Sequence, residues 1–225
     1  MNAIHGLTRW LRWKAEEVEE SRVVLRCDLP PQPGYPFWLE LQAEHRLDAG
    51  GLSVHVTATN TGDQPCPYGA GAHPYLAVAG GGLIDDLVLA TSARATLVTD
   101  ERAIPTGEIR DVGGTELDFR TPRPIRAAQL DTAFTQLQPD NDGVTRVSVR
   151  DPRAGRTVTV WMDGQHSFLM LYTGDTLVDE GRRRHGLGVE PMTCAPDAFN
   201  NGMGLRTLQP GERHDSSWGV SVAAG

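Results

Sequence analysis

Basic residues are in short supply in this chain. Twenty-one Lys and Arg stand against 29 Asp and Glu over 225 residues, a formal net charge of −8. An acidic balance of this kind lacks the electrostatic footprint of a nucleic-acid binder, and no basic amphipathic segment offers itself to a membrane surface. No apolar run approaches the ~20 residues that cross a bilayer. The N-terminal MNAIHGLTRWLRWKAEE has no unbroken apolar stretch of the secretory type. Cysteine is sparse and odd in number. Cys27, Cys66 and Cys194 are far apart and form no CxxC, which argues against both a zinc site and a disulfide framework. A reduced, cytoplasmic protein is the expectation, with Cys194 a packed thiol rather than a reactive one.

The motif inventory has further gaps. No HxH or HExxH spacing suggests a metal. GAGA and AGGGL lack the spacing and following helix of a dinucleotide loop, and neither a Walker loop nor a GxSxG nucleophile elbow occurs. The chain is therefore expected to work without a metal or cofactor. Heptads, internal repeats and low-complexity tracts are also missing, and no break in composition divides the chain. Residues 1–225 are read as a single domain.

What is present is β-structure. In PFWLELQAEHRL (36–47), Phe37, Leu39 and Leu41 alternate with Trp38, Glu40 and Gln42. DAGG (48–51) then supplies a turn, and GLSVHVTATN (51–60) alternates again with Leu52, Val54, Val56 and Ala58 on one face. This pattern predicts a β-hairpin. A second is predicted for RVSVRD (146–151) and RTVTVWMD (156–163) around PRAG. Further strands are expected in 23–29, 87–98, 167–173 and 218–224. WKAEEVEESR (13–22) reads as a solvated charged connection rather than a short helix. With 25 glycines and 15 prolines punctuating the gaps, the pattern is that of an all-β antiparallel sandwich.

Four segments set titratable residues in constrained surroundings: NAIHGL (His5), GAGAHPYL (His73), LDTAF (Asp131) and GVEPMTCAPDAFN (Glu190). Each has an ordinary explanation. His73 could be a core histidine bonded to a carbonyl, and His5 a surface one. Asp131 could cap a turn, and Glu190 could be satisfied by backbone N–H groups or by Arg182, Arg183 or Arg184. The small residues before His73 allow another backbone or a ligand to come close, and Pro74 biases it toward an extended backbone. His45 and His55 fall on strand faces that read as solvent-exposed. His166, His185 and His214 fall in turn-like polar contexts.

Taken in order, HGLTRW, GAHPYL, LDTAF and GVEPMTCAPDAFNNG, followed by LQPGE (208–212), resemble the aldose 1-epimerase (galactose mutarotase) family. The resemblance runs from residue 2 to the final strand. It implies a large galactose mutarotase-like β-sandwich with a sugar cleft, Glu190 as catalytic base and His73 as catalytic acid. By the same resemblance His5 and Asp131 hold sugar hydroxyls, the partner is a small-molecule sugar, and no cofactor takes part. Family members carry strands and an Asn-Arg pair ahead of the first histidine motif, and this chain departs from that pattern. The departure leads to the expectation of an N-terminally short member, with an uncovered sheet edge through which a homodimer would form. The alternatives are an epimerase of hexose 6-phosphates using Arg9, Arg12 or the Arg182–Arg184 run, a non-catalytic carbohydrate-binding paralogue, and a glycoside hydrolase pairing Asp131 with Glu190.

Overall fold

The structure, a computed structural model, describes residues 5–77 and 82–224. The chain divides into two compact units, Met1–Tyr68 with Arg206–Ser217, and Gly69–Leu205 with Trp218–Gly225. The first unit opens with β1 (Lys14–Val18), β2 (Arg22–Leu29), β3 (Leu39–Asp48), β4 (Gly51–Asn60) and β5 (Cys66–Tyr68). The second continues with β6 (Tyr75–Ala77), β7 (Val88–Thr91), β8 (Ala95–Thr99), β9 (Pro105–Asp111) and β10 (Arg123–Pro124). It is completed by β11 (Asp131–Thr135), β12 (Thr145–Asp151), β13 (Arg156–Met162), β14 (Phe168–Tyr172) and β15 (Gly186–Met192). The chain then returns to the first unit for β16 (Arg206–Leu208). Its last strand, β17 (Arg213–Ala224), begins in the first unit and finishes in the second.

In the first unit the strands lie in the order β1-β2-β3-β4-β17, and β5 pairs with β16. The predicted hairpin forms as expected: Asp48 pairs with Gly51 across a two-residue loop, and the Asp48 carboxylate accepts the Gly50 N–H at 2.7 Å. Alternation sorts the faces. Leu25–Ala43–Val56 and Cys27–Leu41–Ala58 form cross-strand rows on one side, and Arg26–Gln42–Thr57 lies on the other. Arg22 and Arg46 oppose each other on the polar side, and Glu44 bonds both, at 2.8 and 3.3 Å. His45 departs from expectation. It stands between Val23 and Val54 on the apolar face, because it continues the odd-numbered row of Leu41 and Ala43.

The segment read as a charged connection is β1, paired antiparallel with β2 from Lys14↔Arg26 to Val18↔Val23. All five of its side chains are exposed, so no apolar face marks it in the sequence. Among the described residues it pairs on one side only, and Lys14, Glu16, Glu17 and a register irregularity after Ala15 discourage further strand addition.

The second unit is a two-sheet sandwich, with strand orders β17-β13-β12-β7-β10 and β6-β15-β14-β11-β8-β9. Leu89, Val147, Val149, Val160 and Met162 from the first sheet meet Phe134, Leu169, Leu171, Leu187 and Val189 from the second. The predicted 156–163 hairpin closes at Asp151↔Arg156, with Asp151 accepting the N–H groups of Arg153 and Ala154. The apolar run 87–98 is not one strand. Its first part is β7 in one sheet, and after a corner at 92–94 it becomes β8 in the other. Period-two alternation carries no mark of such a crossing.

Arg184, at a left-handed φ of 59°, is the staple of the loop after β14. It donates to Asp175 at 2.9 Å, to the Ala128 carbonyl at 3.1 Å and to the Arg126 carbonyl, and it pairs with Asp85 at 3.3 Å. Hydrogen bonds from Thr173 and Arg184 hold the Asp175 carboxyl below the ordinary range despite the opposing effect of burial. Removing one member of a largely buried pair leaves the others uncompensated. Arg184→Ala is expected to lower unfolding free energy by about 2–4 kcal/mol, read from the denaturant midpoint. That loss should shrink as pH falls through the carboxylate range, since protonated Asp175 no longer needs the cation.

Candidate active site

β15 reads Gly186-Leu187-Gly188-Val189-Glu190-Pro191-Met192, and its alternation answers why an acid interrupts an apolar strand. Leu187 and Val189 are wholly buried in the sandwich core, as Pro191 is buried on the same side. Gly188, Glu190 and Met192 take the opposite face. Pairing extends that face across the sheet in two rows, Tyr75–Gly188–Tyr172–Asp131 and Glu190–Met170–Ala133. Beside them Leu97, Ala133, Phe168 and Ala195 pack with Met170, Met192 and Met203. Glu190 thus stands on an apolar floor, next to a row bearing two phenols and a second carboxylate.

His73 reaches Glu190 by way of a strap, residues 69–74, laid against β15. The Val189 N–H donates to the Pro74 carbonyl at 3.1 Å and the Ala72 N–H to the Pro191 carbonyl at 3.1 Å. The Thr193 N–H donates to the Ala70 carbonyl at 2.8 Å, and the Thr193 hydroxyl accepts the Ala70 N–H at 2.8 Å. Pro191, having no N–H, contributes its carbonyl alone. The small residues of GAGAH are there for a backbone approach. A Cβ at Gly69 would lie 2.3 Å from Cys194 Sγ, and one at Gly71 would lie 3.2 Å from the Pro191 carbonyl oxygen. Cys194 packs beneath the strap, and burial pushes its thiol up, away from the reactive thiolate.

The outcome is a direct contact: His73 Nε2 lies 3.2 Å from Glu190 Oε1, with the two side chains 30% and 12% exposed. Two of the three arginines that could have satisfied Glu190 are engaged within their own loop, and the third, Arg182, has its charge felt at Tyr75. Arg183 bonds Glu180 and the Leu177 carbonyl, and Arg184 forms the staple described above. Burial, reinforced by the negative charge of Asp131, pushes the Glu190 carboxyl up to about 8. Tyr75 is pushed up as well, first by burial and then by the neighbouring acids Tyr172, Glu190 and Asp131, against the opposing charge of Arg182.

Three of the four sequence candidates therefore fall on one sheet face or against it: His73 and Glu190 in contact, and Asp131 at the exposed start of β11, its charge felt at Glu190. His5 belongs to the first unit, where it is exposed at a left-handed φ of 60°. The motifs do not single out Tyr172 or Gly188. Their signal is the register, which no local pattern carries. Two histidines read as lying in polar turns are buried: His166, bonded to Asp163 at 2.9 Å, and His214.

His55 also has an organised setting in the first unit, bonded to Ser217 at 2.9 Å and Asp215 at 3.0 Å. This array does not make a nucleophile site. Arg213 and Thr57 already occupy the Asp215 carboxylate and hold it down at about 2, and the flanking strand amides belong to the sheet ladder.

These features define an all-β protein with a histidine–carboxylate pair seated on one sheet face. The sequence model of the family described as aldose 1-epimerase matches residues 1–221, and the chain belongs to that family. An Escherichia coli K12 protein named "Uncharacterized protein YihR" is 35% identical over 213 residues, covering 94% of this chain and 65% of its own length. Bovine galactose mutarotase is 32% identical over 238 residues, covering 96% of this chain and 68% of the relative. This chain thus spans about two thirds of the length of these relatives. The same fold is seen in a GalM/aldose epimerase homologue from C. elegans, with a TM-score of 0.82 at 17% identity, covering 94% of this chain and 68% of that one. It is seen again in galactose 1-epimerase from Lactobacillus acidophilus, with a TM-score of 0.76 at 21% identity, covering 95% and 67%.

Proposed function

We propose that this protein is an aldose 1-epimerase that interconverts the α and β anomers of a free hexose such as glucose or galactose. Glu190 and His73 form the acid–base pair, and Asp131 holds sugar hydroxyls; the same role for His5 rests on the family resemblance alone. The observation that carries this reading is the 3.2 Å contact between His73 Nε2 and Glu190 Oε1, a desolvated carboxyl beside an imidazole able to give and take a proton.

Glu190 takes the proton of the C1 hydroxyl while His73 gives a proton to the ring oxygen, and the C1–O5 bond breaks. The electron pair of the C1 hydroxyl becomes the aldehyde carbonyl. Rotation about C1–C2 presents the other carbonyl face. The C5 hydroxyl then attacks C1, returning its proton to His73 as Glu190 reprotonates the new C1 hydroxyl. No net proton is consumed. A carboxylate raised toward 8 is a stronger base than one in water, which matches it to a weakly acidic hydroxyl. Arg183 and Arg184 are engaged within their own loop, which withdraws two of the arginines a hexose 6-phosphate would call on and supports the unphosphorylated sugar to that extent.

Polarimetry of freshly dissolved α-glucose and α-galactose tests the assignment. His73→Asn is expected to lower kcat by about 10²–10⁴-fold. The wild-type profile of kcat/KM against pH should be bell-shaped, both limbs belonging to the coupled pair rather than to either residue. A His73→Asn variant as active as wild type removes His73 from the mechanism. Sugar binding without turnover in the wild type would instead assign the chain to the carbohydrate-binding alternative.

A further inference from the structure

His73 has a second neighbour besides Glu190. Its imidazole lies on the ring of Tyr75, with centroids 4.8 Å apart and planes within 19° of parallel. Tyr75 in turn meets Tyr172 edge-on, at 6.4 Å and 73°. The two tyrosines flank Gly188 in one cross-strand row, so the rings meet over the residue that has no side chain. That vacancy is needed: a Cβ at Gly188 would come 3.2 Å from Tyr172 Cβ and 3.1 Å from Glu190 Oε1. At the far end the Tyr172 hydroxyl bonds the Thr176 hydroxyl at 2.8 Å. A continuous brace thus runs from Thr176 through Tyr172 and Tyr75 to the imidazole that touches Glu190.

We propose, resting on the reading of His73 and Glu190 as the acid–base pair, that Tyr75 is a positioning residue whose ring fixes the plane of the His73 imidazole and favours its protonated form. Two physical arguments support this. The terminal torsion of a histidine is broad and two-fold, so the backbone strap alone places the ring without fixing its rotation. The Glu190 contact restrains one edge of the ring, and the parallel aromatic neighbour restrains its plane. The face of a phenol ring also attracts a cation, and an imidazolium lying on it is stabilised relative to the neutral ring. The hydroxyl plays no part in either effect, since both depend on the ring face. Among the described residues, the charges felt at Tyr75 are those of Tyr172 on β14, Glu190 on β15, Asp131 on β11 and Arg182, and none of them changes in the variants that follow.

The test compares Tyr75→Phe and Tyr75→Leu with wild type, by NMR titration of the His73 imidazole and by polarimetric kcat and KM. Tyr75→Phe keeps the ring face, so the His73 midpoint should stay within about 0.3 pH of wild type and kcat within about twofold. Tyr75→Leu keeps apolar bulk without the face. Its His73 midpoint should fall by about 0.5–1 pH, and its kcat by about 10- to 100-fold with KM little changed. The proposal is overturned if Tyr75→Leu leaves the midpoint and kcat in place, or if Tyr75→Phe is as damaging as Tyr75→Leu. A rise in KM at constant kcat also overturns it, because Tyr75 would then be a sugar contact. The NMR arm reads the stack whether or not the wild type turns over sugar. Failure of the acid–base reading, seen as absent mutarotation with a displaced Tyr75→Leu midpoint, is thereby distinguished from failure of this one.

Discussion

Glu190→Gln is expected to lower mutarotation by about 10²–10⁴-fold and, in the same protein, to raise stability above neutral pH. The two effects have one cause. In the unfolded chain the carboxyl ionises near its ordinary value of 4.5, whereas in the folded protein burial and the Asp131 charge hold it protonated up to about 8. Between those values the folded state binds more protons than the unfolded one, so raising the pH drains stability by up to about 1.4 kcal/mol per pH unit. Glutamine cannot ionise and escapes that loss. The variant should gain about 2–4 kcal/mol over wild type at pH 8, and close to nothing at pH 4. Thermal melts of both proteins across that range, beside polarimetry, check the pair of outcomes. A glutamine variant that is inactive yet tracks the wild-type melt at every pH would mean that Glu190 is not a desolvated carboxylate. Full activity would remove it from the chemistry altogether. In the proposed mechanism the unfavourable placement has a use, since a proton acceptor stripped of water is a better base, and function is then set against stability.

The second large effect is expected at Gly69, which touches no substrate in the proposed mechanism. Adding one methyl places a carbon 2.3 Å from Cys194 Sγ and 3.2 Å from Cys194 Cβ. Turning the sulfur away would still leave the new methyl 3.2 Å from Cys194 Cβ, so the strap is expected to shift off β15. Lifting strains the Thr193–Ala70 and Ala72–Pro191 hydrogen bonds and withdraws His73 from Glu190. Gly69→Ala should destabilise by about 1–3 kcal/mol, as overpacking commonly does. It should also lower mutarotation at least tenfold, since displacement of a reacting group by about 1 Å costs up to ~10²-fold. Cys194→Ala in the same chain removes the sulfur and should recover part of both losses. Recovery of stability without activity would show that the strap does not place His73. A Gly69→Ala protein with wild-type melting and rate would contradict the close approach itself.

Local patterns were informative where the physics is local. The β3–β4 hairpin was legible because alternation from Leu39 to Ala58 and a turn at 48–51 act within a few residues. The β12–β13 hairpin was legible for the same reason. His73, Asp131 and Glu190 were legible as candidates because each is a titratable residue in an otherwise constrained segment. β1 was not, since an edge strand with both faces in water needs no apolar alternation. The corner that splits 87–98 between two sheets was not either, because alternation is the same on both sides of it.

By itself, then, the sequence determined an all-β chain, its main hairpins and the side chains able to move a proton. Only the tertiary structure decided which of them meet. Contact between His73 and Glu190 depends on a strap crossing a strand more than a hundred residues later in the chain, and the row Tyr75–Gly188–Tyr172–Asp131 depends on the register of four strands. Period-two alternation says which face a side chain takes, but not what stands opposite. The elevation of Glu190 toward 8 follows from that opposition, through burial on the sheet and the charge that Asp131 brings to it.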